Sequence, residues 1–194
     1  LDYDRSVQIG AAVGIALAPL HGGTGETLLS RADIALYAAK AAGKGASRLF
    51  QPDMETRIQD RIRLEARLRD TLRSREGLFV FYQPIVAIDT GVVTAREALV
   101  RCHHPQRGWI SPGEFVPVAE QSGLIDLLGD FVLNTACRDA AGWTDGARVA
   151  VNISAAQLGK GTLVRVVRAA LATSRLPAER LELEVTETAL LDGE

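Results

Sequence analysis

From Gly77 onward, strand-like apolar runs and helix-period stretches take turns along the chain, and this alternation constrains the fold more than any other feature. "LFVFYQPIVAI" (78–88) and "GVVTAREALVRC" (91–102) read as strands, and helices are predicted within 112–142. "ARVAVNIS" (147–154) is a further strand, 162–173 a helix and "RLELEVTE" (180–187) a last strand. Strands separated by helix-length segments predict an α/β fold with a parallel sheet and crossover helices.

Upstream, the pattern is different. "QIGAAVGIAL" (8–17) reads as a buried strand, and "PLHGGTGE" (19–26) as a turn. In "ETLLSRADIALYAAKAAGKG" (26–45), Leu28, Leu29, Ala32, Ile34, Ala35 and Ala38 keep a helical period, with Gly43 placed as a C-terminal cap. "ASRLF" (46–50) closes the unit as a short strand. A charged helix is predicted over 53–76, with Met54, Ile58, Ile62, Leu64, Leu68 and Leu72 mostly four residues apart. That spacing fits a solvated linker helix or a short coiled-coil contact between two copies.

Several function classes are disfavoured. A net charge of -2 and a pI near 6.0 give no basic field for gripping a DNA or RNA polymer. The longest apolar run, Ile9 to Leu20, is shorter than the roughly 20 residues that a membrane helix needs. The chain starts at Leu1 and has no signal-peptide pattern, so it reads as a piece of something longer, with a cytoplasmic location, or the cytoplasmic part of a membrane-anchored sensor, as the expectation. Cys102 and Cys137 are too few for a disulfide framework, which fits a reducing cytoplasmic setting. "HGGTGE" lacks the Lys-Ser or Lys-Thr of a phosphate loop, and adjacent His103 and His104 point to opposite faces of an extended segment. No Ser sits in a nucleophile-elbow context.

The strand ends carry the chemistry. Side chains two apart on a strand share a face, so Ala95, Glu97, Leu99 and Arg101 point one way and Arg96, Ala98 and Val100 the other. Taken alone, Glu97 and Arg101 also fit a solvated surface. Two later strands add Asn152 and then Glu184, Thr186 and Glu187 at or near their C-terminal ends, where parallel α/β folds hold their sites. An oxygen-only set of Glu, Asn and Glu suits hard cations such as Mg²⁺ or Mn²⁺. The planar guanidinium of Arg101 beside it suits a substrate phosphate.

The series "FYQPIV", "EALVR", "SPGEFVPVAEQSGLI", "VAVNIS" and "LELEVTE" resembles the first half of an EAL domain, the cyclic di-GMP phosphodiesterase module, over residues 78–194. Upstream, "VGIALAP", "LLSRADIALYAAKAAGKG" and "SRLF" resemble the C-terminal part of a GGDEF domain, the diguanylate cyclase module. The resemblance implies a tandem protein cut to 1–52 of a GGDEF-like α+β domain, a linker helix at 53–77 and half of an EAL-like barrel at 78–194. It implies that Glu97, Asn152 and Glu184 are metal ligands, that Arg101 meets a substrate phosphate, that Gln83 lies against the bound dinucleotide and that Glu187 steadies the following loop. The implied reaction is metal-dependent hydrolysis of cyclic di-GMP to the linear dinucleotide, with homodimerisation of the full-length protein. A non-catalytic cyclic di-GMP receptor and a diguanylate cyclase with an accessory EAL domain are the alternatives.

This chain departs from both patterns. Cys102 stands where the EAL family usually has Trp, and Ala12 where the GGDEF family usually has Ser. The GGDEF signature is absent; Lys40 and Lys44 match basic positions near the triphosphate, but also lie near a helix end, where cations are favoured anyway. A (βα)₈ barrel takes about 250 residues, so 78–194 supplies a partial TIM-type barrel. The Asp-Asp pair, lysine and glutamate expected from later strands are not in the sequence, leaving the implied two-metal site incomplete and a sheet edge open after the fourth strand.

Overall fold

The computed structural model describes residues 10–43, 45–158 and 161–185. The chain divides into two compact units, Leu1–Arg63 and Leu64–Glu194.

In the first unit, β1 (Val13–Ile15) and β2 (Ser47–Leu49) pair in parallel, in the register Val13 to Ser47 and Ile15 to Leu49. Between them runs α1 (Gly25–Ala41), whose Thr24 cap accepts the Thr27 N–H on Oγ1 at 3.3 Å. This satisfies one of the amides that every helix start leaves open. Ala35 and Ala39 are fully buried, and their small size lets the helix lie close to β1. Phe50 is buried against the His21 ring edge and the Arg31 guanidinium. The strand expected over 8–17 narrows to three residues, because β2 offers only three partners before the next helix begins at Pro52. Residues 8 and 9 lie outside the described residues, and Val13 and Ile15 are exposed rather than buried. The helix expected to reach the cap glycine ends at Ala41, and Gly43 follows at φ 108°.

Helix α2 (Pro52–Ser74) carries the ion pairs Arg57–Asp53 and Arg69–Glu65 at its surface, each four residues apart. Its later half is more than a solvated linker. Leu64, Leu68 and Thr71 are buried, the leucines sharing a core with Leu78, Cys102, Ile110 and Phe115. Cys102, at the position where Trp was expected from the resemblance, is one of these packed residues.

The second unit holds β3 (Leu78–Val86), β4 (Val93–His104), β5 (Gly108–Ile110), β6 (Arg148–Ile153) and β7 (Leu181–Val185). Their order is β3-β4-β6-β7, with β5 beside β4. Strands β4, β6 and β7 are parallel, as expected, but β3 runs antiparallel to β4. Only a tight turn through Gly91 (φ 68°) joins β3 to β4, and a parallel pairing needs a crossover of a dozen or more residues. The short β5 escaped the sequence reading because three residues carry too little alternation to register.

Helices α3 (Pro112–Gln121), α4 (Ile125–Ala141) and α6 (Leu163–Ser174) cover one face of this sheet, while the four-residue α5 (Ala155–Leu158) follows β6. The core between them includes Leu133, Ala136, Cys137, Val149, Val151 and Ala170. Ala98 and Val100 of β4 point into this core, as the alternation predicts. The opposite face, carrying Phe79, Phe81, Gln83, Glu97, Arg101, Asn152 and Glu184, has no helix against it among the described residues.

Away from that face, Arg96 makes a two-pronged contact with Asp145, at 2.6 and 3.2 Å, and lies over the Trp143 ring at 4.5 Å. Tyr82 donates its hydroxyl to Asp139 at 2.8 Å, and burial followed by that acceptor pushes the phenol well above its usual range. The Arg96 hydrogen bond, helped by the Ala147 N–H, holds the Asp145 carboxyl down at about 2, from an ordinary 3.8. A carboxyl depressed in the folded state stabilises above its unfolded value and loses that contribution as pH falls through the folded value. Asp145→Asn is therefore expected to flatten the acid side of the stability profile between about pH 4 and pH 2. Urea melts across that window check it, and an unaltered slope would show that the pair does not report on folding.

Candidate functional site

Register brings the strand-end residues together. Gln83 of β3 pairs with Glu97, Glu97 is level with Ala150 of β6, and Asn152, one pleat further on, pairs with Glu184 of β7. All point to the face that lacks helices, because partners level with one another, and residues two apart, share a side. The Asn152 side-chain N–H donates to Glu97 Oε1 at 2.7 Å, so two of the three expected ligands are in direct contact. The Glu184 carboxyl is raised above its ordinary value, first by desolvation and then by the negative charges of Glu97 and Glu182. Glu97 and Glu184 are therefore close enough to repel, while Glu182 faces Arg148 at 3.5 Å.

That geometry tests whether a cation fits. Glu97 and Glu184 lie on one face within reach of each other's charge, and the Asn152 amide in contact with Glu97 carries a carbonyl oxygen. Among the described residues no three His, Cys, Asp or Glu side chains gather, so the set depends on an amide oxygen and has no nitrogen or sulfur donor. Oxygen donors with converging negative charge suit a hard divalent ion. Of the other expected residues, Gln83 is exposed on the same face. Arg101 donates to the Val100 carbonyl at 2.9 Å, and its guanidinium lies 5.9 Å from the Phe81 ring centroid. Glu187 and Thr186, like Lys44 upstream, lie outside the described residues.

Three residues that support the site escaped the sequence reading. The Ser154 hydroxyl donates to Glu120 Oε1 at 2.7 Å, and the Ser154 N–H donates to Gln157 Oε1 at 3.1 Å. Gln157 is buried against Gly129, where any added methyl would overlap the Gln157 amide. Together they tie the segment just past Asn152 to α3 and α4, beside a cavity of about 300 Å³ that Arg101 and Asn152 also line. The available signal was a polar Glu120 within a largely apolar helical stretch and a Ser154 directly before a short helix, both at places that look like ordinary surface.

The model of the family described as EAL domain matches residues 65–194. An uncharacterized signaling protein of Caulobacter vibrioides is 45% identical over 186 residues, covering 96% of this chain and 23% of the relative. A Pseudomonas aeruginosa protein named bifunctional diguanylate cyclase/cyclic di-GMP phosphodiesterase MucR is 42% identical over 195 residues, covering 98% of this chain and 28% of the relative. A solved structure described as PaMucR phosphodiesterase in complex with c-di-GMP superposes with a TM-score of 0.60 at 42% identity, covering 66% of this chain and 54% of that one. The chain thus spans roughly a quarter of the length of the curated relatives it matches.

Proposed function

The chain belongs to the EAL domain family, and on that premise we propose that its full-length protein is a cyclic di-GMP phosphodiesterase that opens the ring to the linear dinucleotide. The observation that carries this reading is the convergence of Glu97, Asn152 and Glu184 on one sheet face, with Arg101 further along the same strand. Glu97, Asn152 and Glu184 would hold Mg²⁺ or Mn²⁺ through oxygen. When bound, such an ion supplies an activated water and charge stabilisation at the phosphate.

The protein's own groups have distinct tasks. Arg101 gives up its contact with the Val100 carbonyl to meet a phosphate oxygen, exchanging a neutral acceptor for an anionic one and so gaining a stronger bond. Gln83, level with Glu97, holds the dinucleotide through its amide. Ser154, Glu120 and Gln157 keep Asn152 at its station, and the apolar core behind the sheet keeps the strands in register. A complete barrel would need about 250 residues, more than residues 78–194 supply.

We also read residues 1–52 as the C-terminal part of a GGDEF-like domain. Support comes from their parallel β1-α1-β2 unit and from the match to MucR, named for both activities, across 98% of the chain. Both cysteines are buried free thiols, in keeping with a reducing cytoplasmic setting. Among the described residues no helix is long and apolar enough to cross a membrane.

The test is incubation of the full-length protein with cyclic di-GMP and Mg²⁺ or Mn²⁺, with the products separated by chromatography. Metal-dependent appearance of the linear dinucleotide is expected. Binding without turnover would favour the receptor reading, and neither binding nor turnover would remove cyclic di-GMP from the account.

A further inference from the structure

We propose that Trp109, Phe79 and Phe81 form a platform on which one purine base of the bound dinucleotide stacks, a subsite resting on the phosphodiesterase reading above. Aromatic rings on a sheet face usually gain their stability by burial, yet these are 54%, 44% and 49% exposed. They meet one another instead. Trp109 makes edge contacts with Phe79 at 5.4 Å, Phe81 at 5.5 Å and His103 at 5.1 Å, at interplanar angles of 65 to 76°. None of the three is stacked parallel on Trp109; each meets it edge to face.

Position identifies the occupant. Phe79 pairs with Arg101, Phe81 with Leu99 and His103 with Trp109, which puts the platform on the same face as Glu97 and displaced toward the C-terminal end of β4. The Arg101 guanidinium lies over Phe81, joining the aromatic group to the cation assigned to phosphate. From Glu97 to Arg101 is four residues of strand, about 13 Å, so the platform lies one strand segment away from the proposed metal ligands, beside Arg101. A cyclic dinucleotide carries a base on each side of its phosphates. With a phosphate against Arg101, the base of the same nucleotide comes within reach of Phe81 and of Trp109 next to it. Aromatic surface next to a cation is also the means by which proteins hold unpaired nucleotides, through base stacking and charge.

In the full-length protein, Trp109→Ala is expected to raise KM for cyclic di-GMP about tenfold, in the range of a lost base-aromatic stack, with kcat changed less than about twofold. Trp109→Phe should restore most of the affinity. Adding cyclic di-GMP in the presence of a chelator should change the fluorescence of the wild type and leave that of Trp109→Phe much less affected. An unchanged KM in a Trp109→Ala protein with a wild-type circular dichroism spectrum would overturn the platform. So would a loss of thermal stability with KM unchanged, since the rings would then serve to pack later parts of the chain. A wild type that neither binds nor hydrolyses the dinucleotide would instead overturn the phosphodiesterase reading on which the platform rests.

Discussion

Glu97→Gln in the full-length protein is expected to lower cyclic di-GMP hydrolysis by roughly a thousandfold or more, given the several kcal/mol that a metal-assisted step draws from its ligands. The same change should leave the fold intact. Glutamine keeps the size of the side chain and a carbonyl oxygen that still accepts from Asn152, so the 2.7 Å contact can persist. It also removes one of two mutually repelling carboxylates, because the Glu97 charge contributes to the raised state of Glu184. Stability of the metal-free protein should therefore hold or rise slightly. Turnover assays paired with thermal melts separate the two effects. Wild-type turnover in the variant would remove Glu97 from the site, and collapse of the melt would show that the residue holds the sheet together instead.

Gly14→Ala should destabilise the first unit by about 3 kcal/mol, the upper part of the usual overpacking range. A methyl at this position would overlap the Ala32 carbonyl oxygen and the Leu36 backbone nitrogen of α1. These are backbone atoms within one helix, so no side-chain rotation relieves the clash and α1 must move off β1. That displacement would open the contacts of Ala35 and Ala39. Hydrogen exchange followed by mass spectrometry, with α1 amides compared between variant and wild type, reads the effect in this unit alone. Protection unchanged from the wild type would mean that the close approach of helix and strand is not structurally required.

The site was legible in the sequence to the extent that strand periodicity fixes which side chains share a face. Glu97 and Arg101, four residues apart, had to point the same way, and Asn152 and Glu184 stood at the ends of the two parallel strands that follow. What periodicity lacks is register, and register is what sets Asn152 against Glu97 and level with Glu184. The direction of β3 was readable from the short link between the two expected strands, which leaves no room for a parallel crossover, although the strand and helix alternation further on suggested a parallel sheet throughout. Glu120 and Gln157 were invisible because Glu120 meets Ser154, and Gln157 meets Gly129, from segments far apart in the chain. Gly14 was passed over as one small residue in an apolar run, although close backbone approach is one of the few demands that only glycine meets. In α2, the four-residue spacing of Leu64, Leu68 and Leu72 recorded an apolar stripe without saying what the stripe would pack on.

The most direct test of the central claim is anomalous diffraction from crystals of the full-length protein grown with Mn²⁺ and cyclic di-GMP. The account predicts a manganese peak within coordination distance, about 2 to 2.5 Å, of oxygens from Glu97, Asn152 and Glu184, with a ligand phosphate against Arg101. Manganese bound elsewhere, with the Asn152–Glu97 hydrogen bond intact and no metal at Glu184, would contradict it.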